Sequence, residues 1–424
     1  MPPLPLRDYI LLFSLALGLR IGAVAALQGL DAPPKGDANP DQLDYETFAY
    51  HLSAGDGFCL IPGEPSACRP PGTAFALAPI YWMFGHSYAA GRVWFCLLSA
   101  ATCVATAWAC RPAVGHRAAF VAGYWLAVYP GHLYYSMHFL GEVPFSLGVA
   151  LACGFTLRAQ DRAVGRAIAY AALAWGWTIL VRPNMALGAV AVAVMFGSSG
   201  GLTRRQRVVK VVAFGCLAAV VVVPWVVRNA IVMGKPTIAT VVGGFTFWGS
   251  YNSVVATDPH LAGYWIECNR LADADHPLVG NEVERDRSAW SYGWEFVRES
   301  WQEIPALSVH KIGRVLLAYP EAENRTADLA FRLGWAGSAP LVLIGMVLAR
   351  RRAPGMARVF LVPLGATLVT AILFYGCSRF RDGVAPALAP FVGLAVVAIW
   401  QKVRARFSQS PEGRREISPA PDPS

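Results

Sequence analysis

Apolar segments about as long as a membrane is thick recur along the whole chain, and they constrain its fold more than any other feature. A helix needs roughly 20 apolar residues to cross a hydrocarbon core about 30 Å thick. Ten segments approach this length, although three are short and leave their boundaries open: 9–29, 88–110, 117–131, 138–158, 167–182, 184–199, 211–227, 333–349, 359–376 and 384–400. Only 15% of the 424 residues are charged, against about 25% in soluble domains. We therefore predict an all-α polytopic membrane protein with about ten transmembrane helices.

The basic residues predict which connections face the cytoplasm. They cluster in every second connection, at Arg7, at Arg111 and Arg117, at Arg158, Arg162 and Arg166, at Arg204, Arg205, Arg207 and Lys210, at Arg350, Arg351, Arg352 and Arg358, and at Lys402, Arg404, Arg406, Arg414 and Arg415. Cytoplasmic loops carry an excess of Lys and Arg, so both chain ends are predicted inside. The net charge of +9 is then a topology signal and gives no reason to expect a nucleic-acid partner.

The acidic residues concentrate in the other connections. Seven lie in residues 31–87, and thirteen lie in residues 228–332. We interpret these two stretches as the first and second outer loops, on the extracytoplasmic face of the inner (plasma) membrane. They belong to a membrane domain over 1–400. A tail over 401–424, rich in Pro, Ser and charge, is expected to be cytoplasmic and disordered. Any catalysis is expected on the outer side.

The first outer loop has the pattern of surface helices. Leu43, Phe48 and Leu52 recur near helical spacing beside polar residues, which predicts a short amphipathic helix along the membrane surface. The apolar run at 73–85 is too short to span, so it predicts a surface or re-entrant helix.

Asp41 and Asp44 on the first of these helices are candidates for a general base. A carboxyl group at the lipid–water boundary is partly desolvated, and desolvation raises its pKa toward neutrality. The alternative for both residues is an ordinary solvated acid that caps the helix.

Glu142 is a second candidate, because it lies in an apolar stretch near the outer end of the fourth segment. An ionisable group there is costly and suggests a function by default. The alternative is a structural partner for a buried cation such as Arg20. His138 precedes Glu142 by four residues and would share its helix face, so the two could hold a divalent metal. Two candidate ligands are too few to assign a metal, and the requirement stays unknown.

Arginines on the predicted outer side are unusual under the positive-inside rule. They are Arg182, Arg228, Arg379 and Arg381. A lipid phosphate at the membrane surface would need such groups. Arg379 and Arg381 alternate around Phe380, so an extended turn would project both to one side. The alternative is that these arginines only reach headgroups as anchors.

Cys59 and Cys68 share the first outer loop. An oxidising compartment outside the membrane would permit a disulfide between them. Such a bond would close a loop of about ten residues and contribute about 2–3 kcal/mol. The alternative is two free thiols.

Several short motifs occur in an order that resembles the GT-C membrane glycosyltransferases. The likeness is strongest to the dolichyl-phosphate-mannose protein mannosyltransferases and the bacterial aminoarabinose transferases, of glycosyltransferase family 39 type. The motifs are Asp41 four residues before Tyr45, Gly55-Asp56-Gly57-Phe58, Arg69-Pro70-Pro71-Gly72, Gly85, Arg92, Glu142, Arg182-Pro183, Pro224-Trp225-Val226-Val227-Arg228-Asn229, Gly244 to Asn252, and Arg379-Phe380-Arg381.

The resemblance implies a GT-C-like helical bundle and an inverting glycosyltransferase that uses a polyprenyl-phosphate-linked sugar. It implies that Asp41 is the general base and that Glu142 orients the acceptor or assists Asp41. Asp44 and His138, selected from their positions in the sequence, remain further acceptor or second-acid candidates. The donor phosphate would be held by arginines drawn from Arg69, Arg182, Arg228, Arg379 and Arg381. A lipid, glycan or protein would be the acceptor, through a hydroxyl or amine, and no cofactor is certain beyond the open question of a divalent metal.

A polytopic lipid flippase or transporter of envelope precursors is the rival interpretation. It would explain ionisable residues such as Arg20 and Glu142 within apolar segments. It does not explain why the outer face has two large acidic loops while the inner face has only short turns. Many transporters are also built from repeats, and the sequence shows no repeat by eye.

Overall fold

The computed structural model describes residues 6–36, 39–160, 165–238, 240–317 and 325–408, and its regular structure is almost entirely helical. The elements are α1 Leu6–Leu27, α2 Asp41–Ala54, β1 Cys59–Ile61, β2 Glu64–Pro65, α3 Gly72–Phe84, α4 Tyr88–Val128, α5 Pro130–Tyr135, α6 Glu142–Ala159, α7 Arg166–Val181, α8 Met185–Gly197, α9 Arg204–Met233, α10 Gly243–Ser250, α11 Ser253–Thr257, α12 Glu282–Glu299, α13 Ile304–Leu316, α14 Arg325–Arg352, α15 Pro354–Phe360, α16 Val362–Leu373, α17 Ser378–Gly383 and α18 Ala385–Ser408. β1 and β2 pair antiparallel. Of the predicted tail, residues 409–424 lie outside the described residues.

Every apolar segment predicted to span the membrane is largely helical, which confirms the all-α polytopic class. By length and composition, six of the described helices could each cross a membrane: Leu6–Leu27, Tyr88–Val128, Arg204–Met233, Arg325–Arg352, Pro354–Leu373 and Ala385–Arg406. The fifth and sixth predicted segments form the shorter apolar helices α7 and α8. The run at 73–85 forms α3, a helix of 13 residues.

The 41-residue helix α4 contains two of the predicted segments. Gly115 leaves the helical region, with φ 80° and ψ 171°, between the basic residues Arg111 and Arg117. A positive φ is a conformation that glycine adopts at little cost. Gly123 then packs against the backbone carbonyl of Cys103, so the two halves of α4 lie side by side.

Small residues allow the long helices to pack closely. Helix α4 packs against α1, α6 and α18, while α14 packs on the other side of α18. Gly345 in α14 lies against the backbone of Phe391, and Gly393 lies against the carbonyl of Ala118. Close approach through small side chains is the usual way in which helices associate where water is absent.

The buried cation Arg20 is satisfied within the helical bundle. Its guanidinium donates hydrogen bonds to the Ser99 hydroxyl at 2.6 Å and to the carbonyls of Ala16 and Ala127 at 2.8 and 3.3 Å. None of these partners is Glu142. Arg20 is therefore not the arginine that Glu142 partners.

The two predicted outer loops are joined to each other. The Glu282 carboxylate at the start of α12 accepts hydrogen bonds from the Ser66 hydroxyl at 2.6 Å and from the Ala67 N–H at 3.0 Å. The Val241 N–H donates to the Ala67 carbonyl at 3.0 Å. These contacts hold the segment before Arg69 against the segment before α10, and the site described next opens between them.

Candidate active site

A cavity of about 430 Å³ opens where the two outer loops meet the ends of α7 and α16. Its polar wall carries Asp41 from α2, Arg69, Arg182 and Arg379. Apolar side chains, including Val181, Leu187 and Leu373, line the rest. A cavity with a few convergent polar groups and an otherwise apolar lining is typical of a small-molecule or lipid site.

Asp41, the first residue of α2, is bound by two guanidinium groups. Its Oδ2 accepts a hydrogen bond from Arg379 Nη1 at 2.8 Å, and its Oδ1 lies 2.8 Å from Arg69 Nη2. The side chain keeps 25% of its surface exposed. A carboxylate that is held in one orientation and still open to the cavity can accept a proton from a bound molecule.

Glu142, the first residue of α6, anchors the opposite side of this network. It is 2% exposed. Its carboxylate accepts hydrogen bonds from Arg379 Nε and Nη2, the second at 3.1 Å, and also from Arg182 Nη2. Arg379 therefore makes a two-pronged contact with Glu142 while its third nitrogen reaches Asp41. Such paired contacts fix a guanidinium in position and direction.

Asp44 lies on the outer edge of the same network. Its Oδ2 accepts a hydrogen bond from Arg69 Nε at 2.8 Å. We name the whole set the ion-pair network, and its members are Asp41, Asp44, Glu142, Arg69, Arg182 and Arg379. Three carboxylates match three guanidiniums, so the network is close to electrically neutral without a ligand.

The pKa of Asp41 is shifted in the direction opposite to the expectation from sequence. Burial favours the neutral acid, but the positive charges of Arg379 and Arg69 outweigh burial and lower the pKa of this carboxyl below 3.8. The same carboxylate neighbours raise the pKa values of Arg69 and Arg379. Asp41 is therefore ionised at neutral pH, the form that a general base requires.

Arg381 does not reach this cavity, and the extended turn expected around Phe380 is absent. Residues 378–383 form the short helix α17, in which positions 379 and 381 point about 200° apart. Arg381 is 2% exposed, pairs with Asp382 at 3.1 Å and donates to the carbonyl of Leu317 at 3.1 Å. Its guanidinium also lies 4.2 Å from the centre of the Trp335 ring. Its position is that of a structural anchor.

Arg228 also lies away from the ion-pair network. It donates to the carbonyls of Ser66 at 2.7 Å and Phe58 at 3.0 Å, and it lies 4.9 Å from the centre of the Trp225 ring. It lines a separate, largely apolar cavity of about 500 Å³. Among the predicted phosphate ligands, Arg69, Arg182 and Arg379 share one cavity, whereas Arg228 and Arg381 do not.

His138 does not share a helix face with Glu142, because α6 begins only at Glu142. The His138 ring contacts Gln28 and the Tyr134 carbonyl instead, at 2.9 and 3.1 Å. Across the described ranges, no group of three or more His, Cys, Asp and Glu residues could hold a metal ion. The donors in this site are paired with guanidiniums, which does not fit a resident metal.

Cys59 and Cys68 are free thiols in the structure, so the predicted disulfide is wrong. Cys59 lies in β1, with its thiol directed at the carbonyl of Asp56, whereas Cys68 lines the cavity beside Arg69. Burial raises the pKa of the Cys68 thiol to about 11. The first outer loop is fixed by hydrogen bonds to Glu282 instead.

Aromatic residues that the sequence analysis did not select shape the same cavity. Tyr45, Tyr375 and Phe380 line it. The Phe380 ring lies 5.4 Å from the Arg182 guanidinium and orients it. Burial raises the pKa of the Tyr45 hydroxyl to about 12, so the phenol stays neutral and is able to donate a hydrogen bond. Tyr45 belongs to the motif around Asp41, but the motif alone did not predict that its hydroxyl would line the cavity as a hydrogen-bond donor.

Comparison with known proteins supports the predicted resemblance. The sequence model of the family described as dolichyl-phosphate-mannose-protein mannosyltransferase matches residues 68–227. Among curated proteins, none matches the sequence of this chain. The fold is similar to the archaeal oligosaccharyltransferase AglB from Archaeoglobus fulgidus, in complex with an inhibitory peptide and a dolichol-phosphate, with 16% identity, a TM-score of 0.54, and coverage of 99% of this chain and 52% of that one.

A crystal structure of the Archaeoglobus fulgidus oligosaccharyltransferase tethered to an acceptor peptide matches with 15% identity and a TM-score of 0.53, over 96% of this chain and 51% of that one. ArnT from Cupriavidus metallidurans, bound to undecaprenyl phosphate, matches with 15% identity and a TM-score of 0.43, over 95% and 80%. The chain spans about half the length of the archaeal proteins. The predicted resemblance to GT-C glycosyltransferases and the predicted GT-C-like helical bundle are confirmed.

Proposed function

We propose that the protein is an inverting glycosyltransferase that moves a sugar from a polyprenyl-phosphate donor to an acceptor hydroxyl or amine. The observation that carries this proposal is the ion-pair network, in which Arg379 joins the partly exposed carboxylate of Asp41 to the buried carboxylate of Glu142. An accessible base beside guanidiniums that match a phosphate is what transfer from a lipid phosphate requires. The site lies between the predicted outer loops, so we place the reaction on the outer face of the inner membrane.

The donor would bind with its phosphate at Arg69, Arg182 and Arg379 and its first isoprene units along the apolar wall near Leu187. AglB has been captured with a dolichol-phosphate, which supports a lipid phosphate as the class of donor. A planar guanidinium presents two parallel N–H groups to phosphate oxygens. Arg182 and Arg379 are already oriented by Glu142, so little reorganisation is needed when the donor arrives.

In the proposed reaction, Asp41 accepts the proton of the acceptor hydroxyl while the acceptor oxygen attacks the anomeric carbon of the sugar. The bond from that carbon to the phosphate oxygen breaks as the new bond forms, and the phosphate leaves with the electron pair. The configuration at the anomeric carbon is inverted in this single displacement. Guanidiniums near the leaving phosphate stabilise the charge that develops on it.

In the proposed mechanism, the ion-pair network lets Asp41 gain basicity only when the donor is bound. Without a ligand, Arg69 and Arg379 lower the pKa of Asp41 and make it a weak base. A bound phosphate adds negative charge and takes up part of the hydrogen bonding of these arginines. Both effects raise the pKa of Asp41 toward the range of an efficient base. Glu142 keeps Arg379 in place during this exchange.

The experiment that tests the proposed function is transfer of radiolabelled sugar from a synthetic polyprenyl-phosphate sugar by the purified protein in nanodiscs. Extracts of envelope lipids and proteins supply the acceptors. We expect labelled product and free polyprenyl phosphate in equal amounts, with the opposite anomeric configuration in the product. Movement of labelled lipid between leaflets without any bond cleavage would contradict the proposal and favour a flippase.

A further inference from the structure

A second polar cavity lies across the first turn of α2 from the ion-pair network, and its volume is about 240 Å³. Gln42 lines this cavity, whereas its neighbour Asp41 lines the first one. Adjacent Cα atoms are about 3.8 Å apart, so the two cavities lie on either side of the same turn of α2. We name this space the Arg92 cavity. Its cationic lining residues are Arg92 and the exposed Lys35, and no Asp or Glu of the described chain lines it.

No carboxylate of the described residues lies within ion-pair distance of Arg92, and Asp31 attracts its guanidinium only from farther away. Arg92 is 3% exposed, and its Nη1 is engaged by the backbone carbonyls of Leu30, at 3.1 Å, and Ala32. Its Nε has no hydrogen-bond partner among the described residues. The Phe139 ring lies 5.4 Å from the guanidinium. Buried cations are ordinarily matched by a carboxylate or another anion, so this arginine has unused capacity for one.

Gln28 provides an acceptor beside this cation. The carbonyl of Tyr134 lies 3.1 Å from His138 Nδ1, and a carbonyl only accepts, so Nδ1 carries the proton of the neutral ring. His138 Nε2 then accepts from the Gln28 amide nitrogen at 2.9 Å. This fixes the orientation of the Gln28 amide, whose buried Oε1 has no partner in the described chain. The cavity therefore offers both donors and an acceptor.

We propose that the Arg92 cavity binds a phosphate monoester carried by the acceptor of the reaction. A monoprotonated phosphate presents anionic oxygens to Arg92 and an O–H group to Gln28 Oε1, which satisfies both unpartnered atoms. The donor phosphate is assigned to Arg69, Arg182 and Arg379, so a second phosphate site on the other side of α2 is available to the other substrate. The assignment of this phosphate to the acceptor rests on the proposed function, whereas the binding of a phosphate in the Arg92 cavity does not.

The binding test uses glucose 6-phosphate as probe at pH 6, with neutral glucose as the reference ligand, and measures Kd by the thermal shift of the protein in nanodiscs. We expect the wild type to bind the phosphate and not glucose. Arg92→Gln should weaken binding by about 10- to 100-fold, the usual effect of a charge-assisted hydrogen bond. Gln28→Leu should weaken it by about 3- to 10-fold. Arg228→Gln, which changes an arginine that also binds backbone carbonyls, should leave Kd unchanged.

The matched competitor is polyprenyl phosphate. Saturating polyprenyl phosphate should leave the Kd of glucose 6-phosphate within twofold, because the two phosphates occupy different cavities. Equal Kd values in wild type and Gln28→Leu would overturn the inference, and this variant decides the matter should Arg92→Gln fail to fold. Displacement of glucose 6-phosphate by polyprenyl phosphate would also overturn it, because the phosphate would then belong to the donor cavity.

A lipid-borne phosphate is distinguished from a soluble one by repeating the titration with phosphatidic acid in the nanodisc, against phosphatidylcholine alone. Stabilisation by phosphatidic acid that requires Arg92 and Gln28 assigns a lipid acceptor, whereas stabilisation by the sugar phosphate alone assigns a soluble one. Neither binding measurement needs turnover. A wild type that binds phosphate through Arg92 but transfers no sugar would therefore refute the proposed function and leave this site standing.

Discussion

The two cavities on either side of α2 differ in the partners of their arginine side chains. In the first, each guanidinium is paired with a carboxylate, and Arg379 is shared between Asp41 and Glu142. In the Arg92 cavity, the contacts of the guanidinium with the described residues are to backbone carbonyls and an aromatic face, and Asp31 lies beyond ion-pair distance. An arginine that is shared between two carboxylates can give up part of this hydrogen bonding to a phosphate and still keep one anionic partner. Backbone carbonyls accept hydrogen bonds from a guanidinium without neutralising its charge, so such an arginine is suited to binding an anionic ligand.

Of the substitutions that test this comparison, Glu142→Gln should have the largest effect, because it disrupts the ion-pair network. The change leaves the buried Arg379 and Arg182 without their shared carboxylate, and removing one partner of a buried ion pair costs about 3–5 kcal/mol. We expect a lower Tm and no measurable sugar transfer. The thermal unfolding of Glu142→Asp, which keeps the charge, is the control. An unchanged Tm together with full activity in Glu142→Gln would show that Glu142 does not position Arg379.

Arg379→Lys and Arg381→Lys should separate a cavity arginine from a structural one two residues away. Lysine lacks the planar fork, so Arg379→Lys should lower kcat by about 10- to 100-fold. Arg381→Lys should lower Tm through lost contacts to Asp382 and Leu317 while the folded fraction keeps its kcat. Donor titration with active-site counting measures both. Equal losses of kcat would place Arg381 in the donor site after all.

The pH profile of kcat/KM in Arg69→Gln tests whether the charge of Arg69 lowers the pKa of Asp41. Arg69 is one of the charges that lower the pKa of Asp41 below 3.8. Only the ionised form is a base, so activity falls as pH falls through this pKa. Removal of Arg69 lets burial raise the pKa, and the acid limb should move upward by about one pH unit. Arg228→Gln should leave the profile unchanged, and an unmoved limb in Arg69→Gln would contradict the coupling.

Lys311 in α13 extends the comparison to a buried amine in the second outer loop that has no anionic partner among the described residues. Its ammonium is buried, has no hydrogen-bond partner among the described residues and lies 3.3 Å from the centre of the Tyr251 ring. Burial lowers its pKa to about 6.

Above pH 6 the folded state holds this amine neutral while the unfolded chain, with a pKa of about 10.4, still binds the proton. The free energy of unfolding should therefore rise with pH from about 6 to 10. Lys311→Met should lack this rise and have the higher Tm by a few degrees at pH 6. Parallel Tm profiles for wild type and Lys311→Met would refute the assignment, and Lys235→Met, which removes an exposed partner of Asp286, is a control for loss of a lysine charge.

The helical class and the approximate places of the spanning segments could be predicted from the sequence, because apolar length and basic flanks are local signals. The pairing of Asp41 with Arg379 could not, because these residues are 338 positions apart and only packing brings them together. The resemblance placed both in one site, but it did not predict that arginines would lower the pKa of the base.

The wrong predictions for the turn at Phe380 and for the disulfide both concern local geometry that the sequence does not specify. The expected extended turn at Phe380 is a short helix, which sends Arg381 into the protein beside Trp335. The expected disulfide is absent, and the Cys59 thiol is directed at the Asp56 carbonyl, a direction that chain spacing does not specify. The capacity of Arg92 for an anion was also invisible, because it depends on which partners a buried guanidinium lacks.

The measurement that tests the central claim most directly compares Asp41→Asn with Asp44→Asn in single-turnover sugar transfer from a polyprenyl-phosphate donor. Both residues contact Arg69, but only Asp41 contacts Arg379. The account predicts that Asp41→Asn lowers the rate by about 10²- to 10⁴-fold and binds donor at least as tightly, since its arginines are released. Asp44→Asn should stay within tenfold of wild type. An active Asp41→Asn beside an inactive Asp44→Asn would contradict the assignment of the general base.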